Sequence, residues 1–170
     1  MEDKFLESIA YLLPALITAF VCLYMMKNFL HQQNAQQKIA VLADKKKETL
    51  PIKLQAFERM VLFCERINPV KIVTRIKPIS NDAKDYAQLL ISTIEQEFQH
   101  NLVQQIYISD ECWMAILASK RAVINKFNQV AETSSSANDF RENVLIDYSN
   151  SLPPTETAIS LIKQEVRKLL

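Results

Sequence analysis

Glycine is absent from this 170-residue chain, and that absence excludes more than any other feature of its composition. Phosphate-cradling loops, dinucleotide fingerprints and two-residue hairpin turns need backbone φ above zero, which glycine supplies at least cost. The composition therefore argues against P-loop, Rossmann and β-rich folds. Cysteine is scarce: Cys22, Cys64 and Cys112 are odd in number and widely spaced, which fits neither a disulfide framework nor a zinc site. Unpaired thiols suit a reducing compartment. Histidine occurs only at positions 31 and 100, and tryptophan only at 113. The length makes one domain with room for an appendage.

What is present begins with an uncharged run, SIAYLLPALITAFVCLYMM, from Ser8 to Met26. As a helix its 19 residues cover about 28 Å, the thickness of bilayer hydrocarbon. Pro14 is tolerable inside a membrane helix, and Tyr11 and Tyr24 sit near the ends, where aromatic rings favour the headgroup zone. A cleaved signal peptide would begin basic and end in small residues, whereas this run follows Glu2, Asp3 and Glu7 and closes on Tyr24, Met25 and Met26. The run reads as one uncleaved transmembrane span.

The near-neutral net charge of +1 hides a polarity along the chain. Residues 1–26 carry one base against three acids, residues 27–80 eleven against four, and residues 81–170 eight against twelve. Under the positive-inside rule the short N-terminus (1–7) is exported and everything after the span stays in the cytoplasm. Residues 27–48 contain no helix breaker and read as a polar, basic helical stalk without a sustained heptad. Lys45, Lys46, Lys47 and Lys53 lie where cations meet anionic lipid headgroups, each contributing about 1 kcal/mol near the surface.

Residues 49–170 predict a helical bundle. Pro51 is a good first helical residue, and Phe57, Met60, Val61 and Cys64 repeat at helical spacing on one buried face. Asn68–Pro69 reads as a cap opening a short helix through Arg75, with Pro78 beyond it. A long helix is expected from Asp82 to about Tyr107, with Ala87, Leu90, Ile91, Ile94 and Phe98 inward. Ser109 caps the next, whose stripe runs from Trp113, a core anchor, through Ile116 and Phe127 to Val130. After a Thr133–Ser136 loop come a helix marked by Phe140, Val144 and Tyr148 and, past Pro153–Pro154, a closing helix with Ile159, Ile162, Val166 and Leu169. The fold class is all-α: a transmembrane helix (8–26), a stalk (27–48) and a compact cytosolic bundle (49–170).

Candidate chemistry is sparse. Glu97 and His100 stand at i, i+3, the spacing that di-iron carboxylate bundles use twice over with two further glutamates. No second such pair exists, since His31 has no Glu three residues before it, and the pair falls toward the outside of its helix. Cys64 lies on an apolar stripe and reads as a buried small hydrophobe. Cys112, in a first helical turn, has Asp110 and Glu111 opposing any lowering of its pKa. The basic stretch from Lys53 to Lys77 lacks the aromatic platforms and glycine clamps of nucleic-acid modules. One feature stands apart. With Phe57 at 0°, Gln55, Glu58, Arg59, Glu65 and Arg66 fall between about 80° and 200° at 100° per residue, and Leu62 lies among them near 140°. An aliphatic side chain ringed by charges of both signs resembles the apolar centre and polar rim of a contact patch.

The strings LPIKLQAFERMVLFCERINP (50–69), RIKPIS (75–80) and IEQEFQHNLVQQIYISDECW (94–113) resemble an uncharacterised family of small single-span membrane proteins from Bacteroidota, known only as a domain of unknown function. The resemblance implies an inner-membrane protein with a cytosolic helical domain and assigns no catalytic residue. The expectation is a membrane-anchored, non-enzymatic scaffold or regulatory module. It would contact lipid through residues 8–26 and a protein partner through Leu62, Glu58, Arg59, Glu65 and Arg66, with no cofactor and no nucleic acid. The alternatives are an accessory subunit of a larger inner-membrane complex and a metal-dependent enzyme using Glu97 and His100.

Overall fold

The computed structural model describes residues 2–149 and 151–170, with the side chains of residues 2–16, 31, 32, 34–36 and 38–46 outside that description. Among the described residues every element is a helix and there is no strand. α1 covers Glu2–Arg66, α2 Pro69–Arg75, α3 Ala83–Asn101, α4 Asp110–Thr133, α5 Ala137–Asp147 and α6 Pro154–Leu169. A 3₁₀ helix, Leu102–Tyr107, lies between α3 and α4. The chain divides into two units, Met1–Thr49 and Leu50–Leu170.

In the first unit the side chains of residues 17–30 are exposed throughout, among them Ile17, Phe20, Leu23 and Tyr24. Among the described residues no helix is long and apolar enough to cross a membrane, and the side chains of residues 8–16 of the expected span lie outside the description.

The second unit is held by one core that draws on every helix of residues 50–170. Two aromatic groups organise it. Phe98 lies 5.8 Å from Phe63 and stacks on Trp113 at 5.7 Å, with Lys120 Nζ 4.1 Å above its ring. Phe140 meets Tyr86 and Phe127 edge-on at 5.4 and 5.7 Å. The first group joins α1, α3 and α4, and the second joins α3, α4 and α5. Trp113 is half-buried, a lid on this packing and not a fully enclosed anchor.

Helix starts follow local chemistry. Asn68, Asp82, Ser109 and Ser136 each accept backbone N–H bonds from the first turn of the helix that follows. Helix ends show what a glycine-free chain does instead of adopting a left-handed cap. Ile76 closes α2 and Ser134 closes α4 in extended backbone, and no described residue has positive φ.

Two local expectations are corrected. Pro51 does not open a helix, because α1 passes through it. An interior proline forfeits one backbone bond, and here it is flanked by strong helix formers, Lys46-Lys47-Glu48 before and Lys53-Leu54-Gln55-Ala56 after. The helix opened by Asp82 stops at Asn101, short of Tyr107. Asn101 Nδ2 donates to the Glu97 carbonyl at 2.8 Å, and the Leu102 N–H bonds three residues back, to Gln99, so the chain tightens into 3₁₀ geometry.

α6 is seated at its start. Ser119 Oγ donates to the Pro154 carbonyl at 2.8 Å, and buried Asn68 donates through Nδ2 to buried Thr155 Oγ1 at 3.5 Å. These bonds fix α6 along α4 and beside the end of α1.

Candidate interaction ridge

Residues 54–66 of α1 bury Phe57, Met60, Phe63 and Cys64 and turn Gln55, Glu58, Arg59, Leu62 and Arg66 outward. Leu62 is 49% exposed and is not part of the core. It crowns a ridge between two cavities, and it and Glu58 line both of them.

The first cavity, about 580 Å³, lies between α1 and α3 and is lined by polar side chains around Leu62, with polar and apolar surface in nearly equal share. Its wall brings together Arg59, Leu62 and Arg66 with Glu97 and His100, two groups that the sequence offers for unrelated reasons. Arg66 Nη1 donates to Glu97 Oε1 at 2.7 Å, so the carboxylate is already engaged by a guanidinium. His100 is exposed. Among the described residues no group of three or more His, Cys, Asp or Glu side chains is placed to hold a metal ion.

The second cavity, about 560 Å³, is apolar. Leu54, Phe57, Val61 and Leu62 of α1 face Ile162 and Val166 of α6 across it. Its rims differ in sign: Glu58 and Glu65 stand on the α1 side, Lys163 and Arg167 on the α6 side. Glu65 is ion-paired with Lys71, whereas Glu58, Lys163 and Arg167 make no ion pair among the described residues. The α6 wall is the part that sequence reasoning missed. Its signal was the stripe Ile159, Ile162, Val166 and Leu169, of which Ile159 and Ile162 are buried while Val166 and Leu169 are only half-buried.

The remaining candidates fall elsewhere. Burial pushes the Cys64 thiol up to about 12, with Cys112 and Glu65 adding to it. Burial likewise pushes Cys112 up to about 12, reinforced by a hydrogen bond to Glu165 and by the charges of Glu165 and Glu111. Neither thiol is poised as a nucleophile at neutral pH. Lys47 and Lys53 are exposed, and the side chains of Lys45 and Lys46 lie outside the described residues.

A family of unknown function, DUF7935, matches residues 3–169, and the chain belongs to that family. No curated protein and no solved structure matches the chain.

Proposed function

We propose that this DUF7935 chain is a membrane-anchored, non-enzymatic helical module that docks a protein partner through the Leu62 ridge. The observation that carries the reading is the position of Leu62. A half-exposed aliphatic side chain sits between two cavities, bordered by Glu58, Arg59, Glu65 and Arg66, an apolar centre with a charged rim. The anchor reading draws support from the uncharged run 8–26 and from the exposed apolar side chains at 17, 20, 21 and 23–26. Such a surface is costly in water and at ease in lipid. The excess of bases in residues 27–80 favours keeping residues 27–170 on the cytoplasmic face of a bacterial inner membrane. There Lys45, Lys46, Lys47 and Lys53 would meet anionic headgroups.

Two measurements test this. Full-length protein is expected to sediment with membranes through an alkaline wash and to lose that property when residues 8–26 are deleted. Recovery of the full chain in the supernatant overturns the anchor. A photo-crosslinking residue at position 62 is expected to give a discrete protein adduct in native membranes. The same residue at exposed Asn128 of α4 is expected to give none. No adduct at position 62, or equal adducts at both, overturns the docking reading.

A further inference from the structure

We propose that the apolar cavity between α1 and α6 receives a single amphipathic helix of the protein partner, with a basic flank toward α1 and an acidic flank toward α6. The inference rests on the docking reading and gives its partner a chemistry. Both walls are helices, whose backbone groups are satisfied within themselves, so the groove offers no strand edge to extend. What it offers is side-chain packing. From Leu54 to Glu65 the α1 wall runs about 16 Å, three helical turns. That length matches apolar anchors at i, i+3 or i+4, and i+7 on an incoming helix, which satisfies its own backbone as it is buried.

The rims decide between occupants. Glu58 on one side and Lys163 and Arg167 on the other make no ion pair among the described residues and border an apolar floor. A lipid or a small apolar ligand with one charged headgroup complements one rim and opposes the other. A helix with flanks of opposite sign complements both. Reversing that helix end for end exchanges its flanks, so the rims also fix its direction in the groove.

The test uses full-length protein in nanodiscs of zwitterionic phosphatidylcholine, with empty discs as background. The probes are three fluorescent helical peptides with the same leucine anchors: one with a lysine flank and a glutamate flank, one with lysine on both, one with glutamate on both. The mixed peptide is expected to bind about tenfold more tightly than either uniform one. Lys163→Glu with Arg167→Glu is expected to transfer the preference to the all-lysine peptide, and Glu58→Lys to move it toward the all-glutamate peptide. Equal affinities for the three peptides overturn the proposal, as do no binding by any of them or a preference unchanged in both variants. A position-62 adduct that proves to be a second copy of this chain does so too. If the peptides fail while a different protein is still captured at position 62, the groove assignment falls and the docking reading stands. If position 62 captures nothing, the docking reading itself falls.

Discussion

Glu165 of α6 grips Ser109, the residue that caps α4, with both carboxylate oxygens: Ser109 Oγ donates to Oε2 at 2.6 Å and the Ser109 N–H donates to Oε1 at 3.2 Å. Ser109 Oγ in turn accepts from the Cys112 N–H at 3.3 Å. One carboxylate thus completes a helix start 56 residues away in sequence, and it places negative charge where the α4 dipole favours it. It also holds the half of α6 that carries Lys163 and Arg167.

Replacing Glu165 by alanine is expected to lower stability by about 1 kcal/mol, the usual worth of a partly exposed charge-assisted contact. It also removes one cause of the raised Cys112 pKa. Urea denaturation measures the first effect, and the rate of Cys112 alkylation in the folded protein, which should rise, measures the second.

The two buried thiols give stability a defined pH dependence. Cys64 and Cys112 are each raised from 9.0 to about 12 in the folded chain. Below pH 9.0 both states keep their protons and the contribution is whole. As pH climbs from there toward about 12 the unfolded chain releases protons first, and stability falls. Burial raises Tyr86 as well, which acts in the same direction. Calorimetry should show little change in Tm below pH 9.0 from these groups and a steady decline above it, shallower in a Cys64→Ala, Cys112→Ala double variant.

Leu62 and Phe63 are neighbours with opposite duties. Phe63 is fully buried against Phe98, and truncation to alanine should cost about 3–5 kcal/mol. Leu62→Ala should cost less than about 1 kcal/mol, as a half-exposed surface side chain does. Chemical denaturation separates the two, and a large loss at Leu62 would place it in the core.

Tyr86 closes α2 from α3. Its buried hydroxyl donates to the Ile76 carbonyl at 2.6 Å, with the Val73 carbonyl at 3.2 Å, and Arg141 Nε also donates to Val73 O at 3.2 Å. Tyr86→Phe keeps the ring against Phe140 and leaves the Ile76 carbonyl short of its donor, at a cost of about 1–2 kcal/mol. Hydrogen exchange at the Ile76 amide, which bonds Ile72 O at the end of α2, should accelerate in the variant.

Local chemistry made much of this fold legible. Asn68 and Ser109 read as caps from the sequence and do cap their helices, while Asp82 and Ser136, expected only as a helix start and a loop end, prove to be caps as well. Phe57, Met60 and Cys64, or Leu90, Ile94 and Phe98, declare their buried face by spacing alone. Pro51 was misleading because a proline suits a first turn and is also carried by an interior with strong helix formers around it. The switch to 3₁₀ geometry after Asn101 depends on which carbonyl one amide chooses, and spacing says nothing of that. For the ridge, Leu62 and its charged neighbours are visible on a helical wheel. The facing wall of Ile162, Val166, Lys163 and Arg167 is not, because it is brought there by Ser119, Asn68 and Thr155, contacts that span 35 and 87 residues.

The absence of positive φ anywhere in the described backbone has a practical corollary for protein engineering. Bends that stay in the ordinary regions of conformational space admit L-amino acids other than proline without a steric veto. Proline-free libraries placed at the joints after Ile76 and after Thr133 should therefore yield mostly folded members, provided Ile76, which packs on the core, and the capping side chains at Asp82 and Ser136 are held fixed.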